Sequence, residues 1–295
     1  MSHIEICELT KQYGQLMALD KCTFSVGAGE VFGLLGPNGS GKSTLLRLLM
    51  GYLRPTRGRA TIANRDCYRE SVAVHRGVSY LPGDVRLFRR MSGRDVLDFI
   101  FKLRGQRDPS HSIQLAQRLG LDLSRRVAQM STGMRQKLAL SAVLAVDTPL
   151  LVLDEPTSNL DPTVRATIAS MIREAKNAGR TVIFSSHVLS EVEQVCDRVV
   201  ILREGRLVHA QILAEIRRRH RIQARLSAPF PPVPPQLQEQ LVILPGKNET
   251  VTIETAGELS PLLGWLATLP VREVRIEPLG LQAVYEQYHP AENAA

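Results

Sequence analysis

Nine residues near the N-terminus, Gly36-Pro37-Asn38-Gly39-Ser40-Gly41-Lys42-Ser43-Thr44, constrain the fold more than any other stretch. They meet every required position of the phosphate-binding loop pattern G-x-x-x-x-G-K-[ST]. Gly36, Gly39 and Gly41 let the backbone turn tightly enough to aim successive N–H groups inward, where a Cβ would obstruct. Lys42 brings a flexible positive charge to β- and γ-phosphates, and the Ser43 hydroxyl is placed to sit on a Mg²⁺ ion. Glu30–Leu35 before the loop reads as a buried strand, through Val31, Phe32, Leu34 and Leu35. After it, Thr44–Met50 reads as a helix closed by Gly51, so a helix N-terminus points at the phosphates. A glycine-rich turn that merely happens to carry a lysine would not need that strand and that helix. The stretch reads as a nucleotide-binding site.

The chain has 295 residues, 44% hydrophobic and 22% charged, enough for one large domain and a smaller one around sizeable cores. A formal charge of +8 suits nucleic acid, an anionic membrane or an acidic partner without choosing among them. Cys7, Cys22, Cys67 and Cys196 are far apart with no C-x-x-C pair, the pattern of reduced structural thiols in a cytosolic protein. Met1–Thr10 has no apolar signal-peptide core, and no apolar run approaches the ~20 residues of a membrane span. The chain therefore reads as soluble by itself.

His3–Leu9 and Thr23–Val26 are expected as short strands flanking Tyr13, which is either a half-buried strand-end aromatic or a platform for an adenine ring. Arg59–Ala63 and Gly77–Leu81 are further strands. From about Val85 to Ala145 the pattern turns helical: a helix capped by Ser92 with Asp95 three residues on, a second from Pro109-Ser110 to Leu119, and a third from Gly133 to Leu144. Pro149–Leu153 is a continuous apolar strand ending in Asp154-Glu155. Asp161-Pro162 supplies an N-cap and an N1 proline for a helix reaching Ala178. Thr181–Phe184 is a strand followed by Ser185-Ser186-His187, and Val199–Leu202 with Arg206–Val208 form a hairpin. Alternating strands and helices predict a parallel sheet with ligands at the strand C-termini.

The composition changes after Ile216. A basic run, Arg217–Arg221, and a stiff Pro-rich stretch, 228–235, read as a linker. Beyond it, Leu241–Leu244 and Thr250–Glu254 are expected to pair around Gly246-Lys247-Asn248. Leu259–Leu269 is helical, Val271–Ile276 strand-like and Leu281–Tyr288 helical. The expected division is a nucleotide-binding domain over 1–215, with a helical subdomain at about 85–145, and a C-terminal α+β accessory domain over 216–295.

Other segments qualify the phosphate loop. A carboxylate at the end of a buried strand, Asp154, can hold Mg²⁺, and the adjacent Glu155 can polarise an attacking water as general base. Ser131-Thr132-Gly133-Met134 opens a helix: an anion site, or simply an N-cap, the commoner meaning. His187 lies past a strand end, where a histidine is either structural or a contact for a γ-phosphate.

With these segments in order, the sequence resembles the nucleotide-binding subunit of ATP-binding-cassette (ABC) transporters over about Ile4–Val208. The resemblance implies a P-loop NTPase core of ABC type, with ATP and Mg²⁺ as its ligands. It places the adenine-stacking aromatic on Tyr13, the Walker A loop on Gly36–Thr44 and the signature on Ser131–Met134. Walker B falls on Leu150–Asp154, the catalytic glutamate on Glu155, the D-loop on Ser158–Asp161 and the switch histidine on His187. It implies a head-to-tail dimer, expected as two copies of this chain, in which each ATP lies between the Walker motifs of one subunit and the Ser131 and Gly133 region of the other. The single cassette, the Ser-Thr-Gly-Met signature and the C-terminal extension are similar to the ATPase subunits of drug- and antibiotic-efflux exporters. A separate multi-span membrane permease would then carry a drug-like or lipophilic compound, with this subunit peripheral on the cytoplasmic face of the cell membrane and no stable nucleic-acid binding.

Two motifs depart from the pattern. The usual Leu-Ser-Gly-Gly-Gln signature reads Met130-Ser131-Thr132-Gly133-Met134, which keeps the serine and one glycine. Gly83 stands where the Q-loop glutamine is expected, after Pro82, and brings no side chain to a metal or a γ-phosphate. Two other functions stay open on sequence: a soluble ABC ATPase acting on nucleic acid or ribosomes, and an ATP-binding regulator that hydrolyses weakly.

Overall fold

A computed structural model describes residues 2–106, 108–228, 230–238, 241–245, 250–255 and 259–288. The chain divides into two compact units, Met1–Ala210 and Gln211–Ala295.

The first unit holds two sheets. Strands β1 (Ser2–Tyr13), β2 (Leu16–Gly27), β4 (Arg57–Ile62) and β5 (Arg65–Asp66) form a sheet in the order β2-β1-β4-β5, antiparallel at every pairing. β3 (Val31–Leu35) belongs to the second sheet, and α1 (Lys42–Leu49) follows it. The antiparallel sheet was not foreseen, because β1 and β2 run beyond the short apolar alternations that mark them. Glu8 and Lys21 take positive φ values of 46° and 47° where the β1–β2 register shifts. The strands therefore continue through irregularities that break the period-2 pattern.

The chain then runs through α2 (Ser71–Arg76), β6 (Val78–Leu81), α3 (Gly93–Leu103), α4 (Ser110–Arg118), α5 (Thr132–Ala145), β7 (Leu150–Asp154) and α6 (Pro162–Asn177). β8 (Thr181–Ser186), α7 (Leu189–Val195), β9 (Arg198–Arg203) and β10 (Arg206–Ile212) complete this run. The second sheet has the order β10-β9-β3-β8-β7-β6, with β9, β3, β8, β7 and β6 mutually parallel where they pair. β3 and β7 are buried at every position, as continuous apolar runs in a covered parallel sheet should be. The expected parallel sheet is present, with the phosphate loop leaving the C-terminal end of β3.

The main core joins both sheets to α1 through Ile4, Val26, Phe32, Leu34, Leu45, Leu49 and Val152. A separate apolar cluster, including Val96, Leu97, Ala116, Val127, Leu138 and Ala142, holds α3, α4 and α5 together. Ser92 closes a full capping box with Asp95 at the start of α3, as their spacing predicts, whereas residues 85–92 ahead of it are not helical. The half-buried guanidinium of Arg180 donates to the carbonyls of Leu144, Val146 and Thr148. It thereby satisfies the end of α5 and fastens it beside β8.

The second unit contains α8 (Leu213–Arg217), β11 (His220–Leu226), α9 (Pro235–Gln238), β12 (Leu241–Pro245), β13 (Thr250–Thr255), α10 (Leu259–Leu266), β14 (Val271–Pro278) and α11 (Leu281–Tyr288). Its four strands make an antiparallel sheet, β12-β13-β11-β14. Ile222, Ala224, Leu226, Val251 and Ile253 point to one side and pack with Leu262, Trp265 and Leu266. The basic run read as a linker is folded: Arg217 ends α8, and His220 and Arg221 begin β11. Arg221 there makes an ion pair with Glu254 at 2.7 Å. Charge concealed the alternation that continues through Ile222, Ala224 and Leu226. β12 and β13 pair as expected, and their turn at Gly246-Lys247-Asn248 lies outside the described residues.

Candidate nucleotide site

The loop between β3 and α1 opens onto a cleft of about 490 Å³. Asn38, Gly39, Gly41, Lys42, Ser43 and Thr44 line its polar end. Gly41 sits at φ 106°, and a Cβ there would lie 2.8 Å from the Ala18 carbonyl oxygen, so only glycine fits this turn. Gly36 and Ser40 are buried and Pro37 is exposed, and none of the three lines the cleft. Lys42 Nζ donates to the carbonyls of Gly36 at 2.7 Å and Pro37 at 3.1 Å. The Ser40 N–H donates to the Pro37 carbonyl, and the Ser40 hydroxyl is buried.

At the other end of the cleft are Tyr13, Leu16, Met17 and Ala18, from the turn between β1 and β2. Leu16 and Met17 are exposed and apolar, a surface suited to a nucleobase that sequence reading missed. Their signal was weak: they lie just past the glycine turn that follows Tyr13. The Tyr13 ring is 43% exposed and carries Lys11 Nζ at 4.8 Å from its centroid, so one of its faces is already occupied by a cation.

Two carboxylates follow β7. Asp154 is 3% exposed, and its Oδ1 accepts from the Ser185 hydroxyl at 2.7 Å. Glu155 takes a left-handed backbone at φ 47°, and its N–H donates to the same Ser185 oxygen at 2.9 Å. Its carbonyl accepts from Gln136 of α5. A non-glycine residue in this conformation is strained and must be held by its surroundings. The strain turns the Glu155 carboxylate back over the loop: Oε1 lies 3.6 Å from Lys42 Nζ and Oε2 lies 3.4 Å from His187 Nδ1. Burial holds the Lys42 ammonium below its ordinary pKa, while the charges of Glu155 and Asp154 pull it back up. Lys42, Glu155 and His187, far apart in sequence, thus form one contact chain.

Beside it, a second cleft of about 390 Å³ is lined by Gly83, Glu155, Ser158, Asn159 and His187, among others. Glu191 of α7 is a further residue that sequence reading missed. Its nearly buried carboxylate accepts from Thr157 at 2.7 Å and Ser186 at 2.8 Å, and meets Arg165 at 3.2 Å. It ties the segments carrying Glu155 and His187 to α6. Nothing in a lone glutamate of an amphipathic helix announces this from sequence.

Ser131, Gly133 and Asp161 do not line either cleft. Ser131 caps α5 by accepting the Met134 N–H, and Asp161 caps α6 by accepting the Val164 N–H, which lowers its carboxyl pKa. Gly133 packs against the D-loop of its own chain, where a Cβ would meet the Asn159 carbonyl oxygen at 3.0 Å. At the Q-loop position, a Cβ on Gly83 would lie 3.3 Å from Asp154 Oδ2.

A strand–loop–helix with a phosphate-loop lysine, facing a strand-end carboxylate pair on a parallel sheet, defines a P-loop nucleotide-binding protein. Comparison with known proteins narrows this. The profile of the ABC transporter family matches residues 19–158. A daunorubicin resistance ATP-binding protein, DrrA3 of Streptomyces coeruleorubidus, is 37% identical over 203 residues, covering 67% of this chain and 64% of that protein. A Nod factor export ATP-binding protein I of Rhizobium leguminosarum bv. viciae is 34% identical, covering 70% of this chain and 68% of that one. A solved ATP-binding subunit of an ABC transporter superposes with a TM-score of 0.66 at 29% identity, over 74% of this chain and 92% of its own length. The chain spans 61–64% of the length of several curated relatives it matches. This chain belongs to the ABC transporter ATP-binding family.

Proposed function

We propose that the chain is the ATP-hydrolysing subunit of an exporter, powering movement of a drug-like or lipophilic compound through a separate multi-span membrane permease. The contact chain Lys42–Glu155–His187 at the mouth of the phosphate loop carries the reading. Relatives named for drug resistance and Nod factor export support it over a soluble ATPase acting on nucleic acid or ribosomes. No helix among the described residues is long and apolar enough to cross a membrane.

In this reading ATP lies along the first cleft, its base against Tyr13, Leu16 and Met17 and its phosphates over the loop. Backbone N–H groups at the start of α1 and the Lys42 ammonium hold the β- and γ-phosphates. Glu155 takes a proton from water as the water oxygen bonds to the γ-phosphorus. The bond from that phosphorus to the β–γ bridging oxygen breaks, and its electron pair leaves with ADP. His187 orients the Glu155 carboxylate and reaches the γ-phosphate.

Ser43 and Asp154 offer the hard oxygen donors that Mg²⁺ prefers. The described residues contain no cluster of three or more His, Cys, Asp or Glu able to hold a metal alone. That fits an ion completed by phosphate and water oxygens rather than a closed protein cage. When bound, Mg²⁺ offsets the charge on the β- and γ-phosphates.

Ser131 and Gly133 would serve a second copy of the chain, since both lie outside the clefts of their own. ATP would then close a head-to-tail dimer and hydrolysis would reopen it, a population shift passed to the permease. The helical part offers a contact for it: an apolar groove of about 200 Å³ lined by Leu81, Val85, Leu87, Ile100, Ala139 and Val143.

The test is a tagged pull-down from gently solubilised native membranes, followed by an ATPase assay. Co-purification of a multi-span membrane protein that changes the ATPase rate is the expected result. Recovery with ribosomes or nucleic acid alone overturns the reading.

A further inference from the structure

The C-terminal sheet ends on β14, whose outer edge pairs with no strand among the described residues. From Arg272 to Ile276 every residue is exposed, Val274 at 50% and Ile276 at 37%. These two apolar side chains belong to the sheet's packed face, since they stand opposite the buried Ala224 and Ile222 of β11. An exposed strand edge with apolar residues is a template for another strand.

Charged residues ordinarily blunt such an edge, and β14 has Arg272, Glu273, Arg275 and Glu277. Their order, however, is complementary to itself. Residues directly opposite in an antiparallel pair share a face, so a two-fold axis between two copies of β14 must pass through a residue position. With the axis at Val274, that residue meets its own copy, and Glu273 of each strand faces Arg275 of the other, twice. An axis at Glu273 or at Arg275 sets like charges against each other. An axis at Ile276 shortens the overlap and brings in Pro278, which has no N–H to donate.

We propose that the β14 edge docks a second copy of this chain, joining two C-terminal sheets into one antiparallel sheet across a two-fold axis at Val274. Main-chain hydrogen bonds supply the attraction and the two Glu273–Arg275 pairs set the register. Val274 is covered by its own copy, and Ile276 lies against the aliphatic stem of Arg272 on the other strand. The pairing needs no nucleotide and stands whether or not the cassettes close around ATP. It would raise the effective concentration of one cassette for the other.

The test uses the full chain without nucleotide, in sedimentation velocity over a concentration series at low salt. Glu273→Arg alone sets two arginine pairs across the axis, and Arg275→Glu alone sets two glutamate pairs. Each is expected to weaken dimerisation by about tenfold or more. An equimolar mixture of the two variants restores opposite charges at both pairs, and its heterodimer is expected within about threefold of the parent. A folding defect in either variant would not be cured by mixing. A parent that stays monomeric up to roughly 100 µM overturns the proposal. So does a Glu273→Arg variant that dimerises as the parent does, or a mixture no tighter than its components.

Discussion

The Ser185 hydroxyl donates to Asp154 Oδ1 at 2.7 Å and accepts the N–H of Glu155 at 2.9 Å. One side chain on β8 thus fixes the Asp154 carboxylate and the Glu155 backbone at the end of β7. Ser185→Ala leaves a part-buried N–H unpaired, at a cost of about 1 kcal/mol, and frees the Asp154 carboxylate to rotate. The variant is expected to melt several degrees lower and to need more Mg²⁺ for half-maximal ATPase. Turnover should fall about tenfold. A Mg²⁺ titration of the ATPase alongside thermal unfolding checks this, and an unchanged Mg²⁺ requirement would remove Asp154 from the metal site.

Lys42 and Glu155 touch at 3.6 Å, yet their substitutions should separate. Lys42→Ala removes the cation that faces the phosphates, and ATP affinity should fall by more than about thirtyfold. Glu155→Gln keeps size and hydrogen bonding but removes the carboxylate proposed as the base. Nucleotide binding should stay within about threefold of the parent while turnover drops at least about a hundredfold. The variant should accumulate as a nucleotide-bound dimer in size-exclusion chromatography. Parental turnover by Glu155→Gln would place the base elsewhere.

These residues were largely legible in the sequence because each sits at a strand end or helix start with strong local signals. Lys42 follows glycines whose turn leaves little else possible, and Ser92 with Asp95 announces a capped helix. What stayed hidden depends on contacts across the chain. Glu191 gains its place only once Thr157, Ser186 and Arg165 are brought around it. The long antiparallel strands were obscured where Glu8 and Lys21 interrupt alternation. Arg217–Arg221 looked like a solvated linker because the apolar residues that fix β11 come mostly after the charges. Leu16 and Met17 carry no pattern of their own, and only the turn that presents them to the phosphate loop makes them a surface for a base.

Arg118 of α4 and Glu174 of α6 form a two-pronged bridge, with both N–H···O distances at 2.7 Å. It links the helical part to the core. The bridge holds the Glu174 carboxyl down at about 2, against an ordinary 4.5. The folded protein thus binds fewer protons here than the unfolded chain does. The stabilisation is full above pH 4.5 and is lost as the pH falls from 4.5 towards about 2. Both side chains are largely exposed, so the bridge is worth less than about 1 kcal/mol. Glu174→Gln should lower the melting temperature slightly at neutral pH, with the gap to the parent closing on acidification. A gap that widens in acid would contradict the assignment.

Gly83 offers a test of how the metal site works without a glutamine at this position. A Cβ there would lie 3.3 Å from Asp154 Oδ2, close enough that the carboxylate must shift by a few tenths of an ångström. Gly83→Gln would then bring an amide oxygen beside Asp154. Phosphate contacts to the loop and Lys42 are untouched, so ATP affinity should change by less than about threefold. Turnover and its Mg²⁺ dependence should change, because the new side chain competes for a coordination position and couples the metal to the segment before α3. The comparison to make is basal against permease-stimulated ATPase for parent and variant. Identical rates in both conditions would mean that position 83 takes no part in sensing the γ-phosphate.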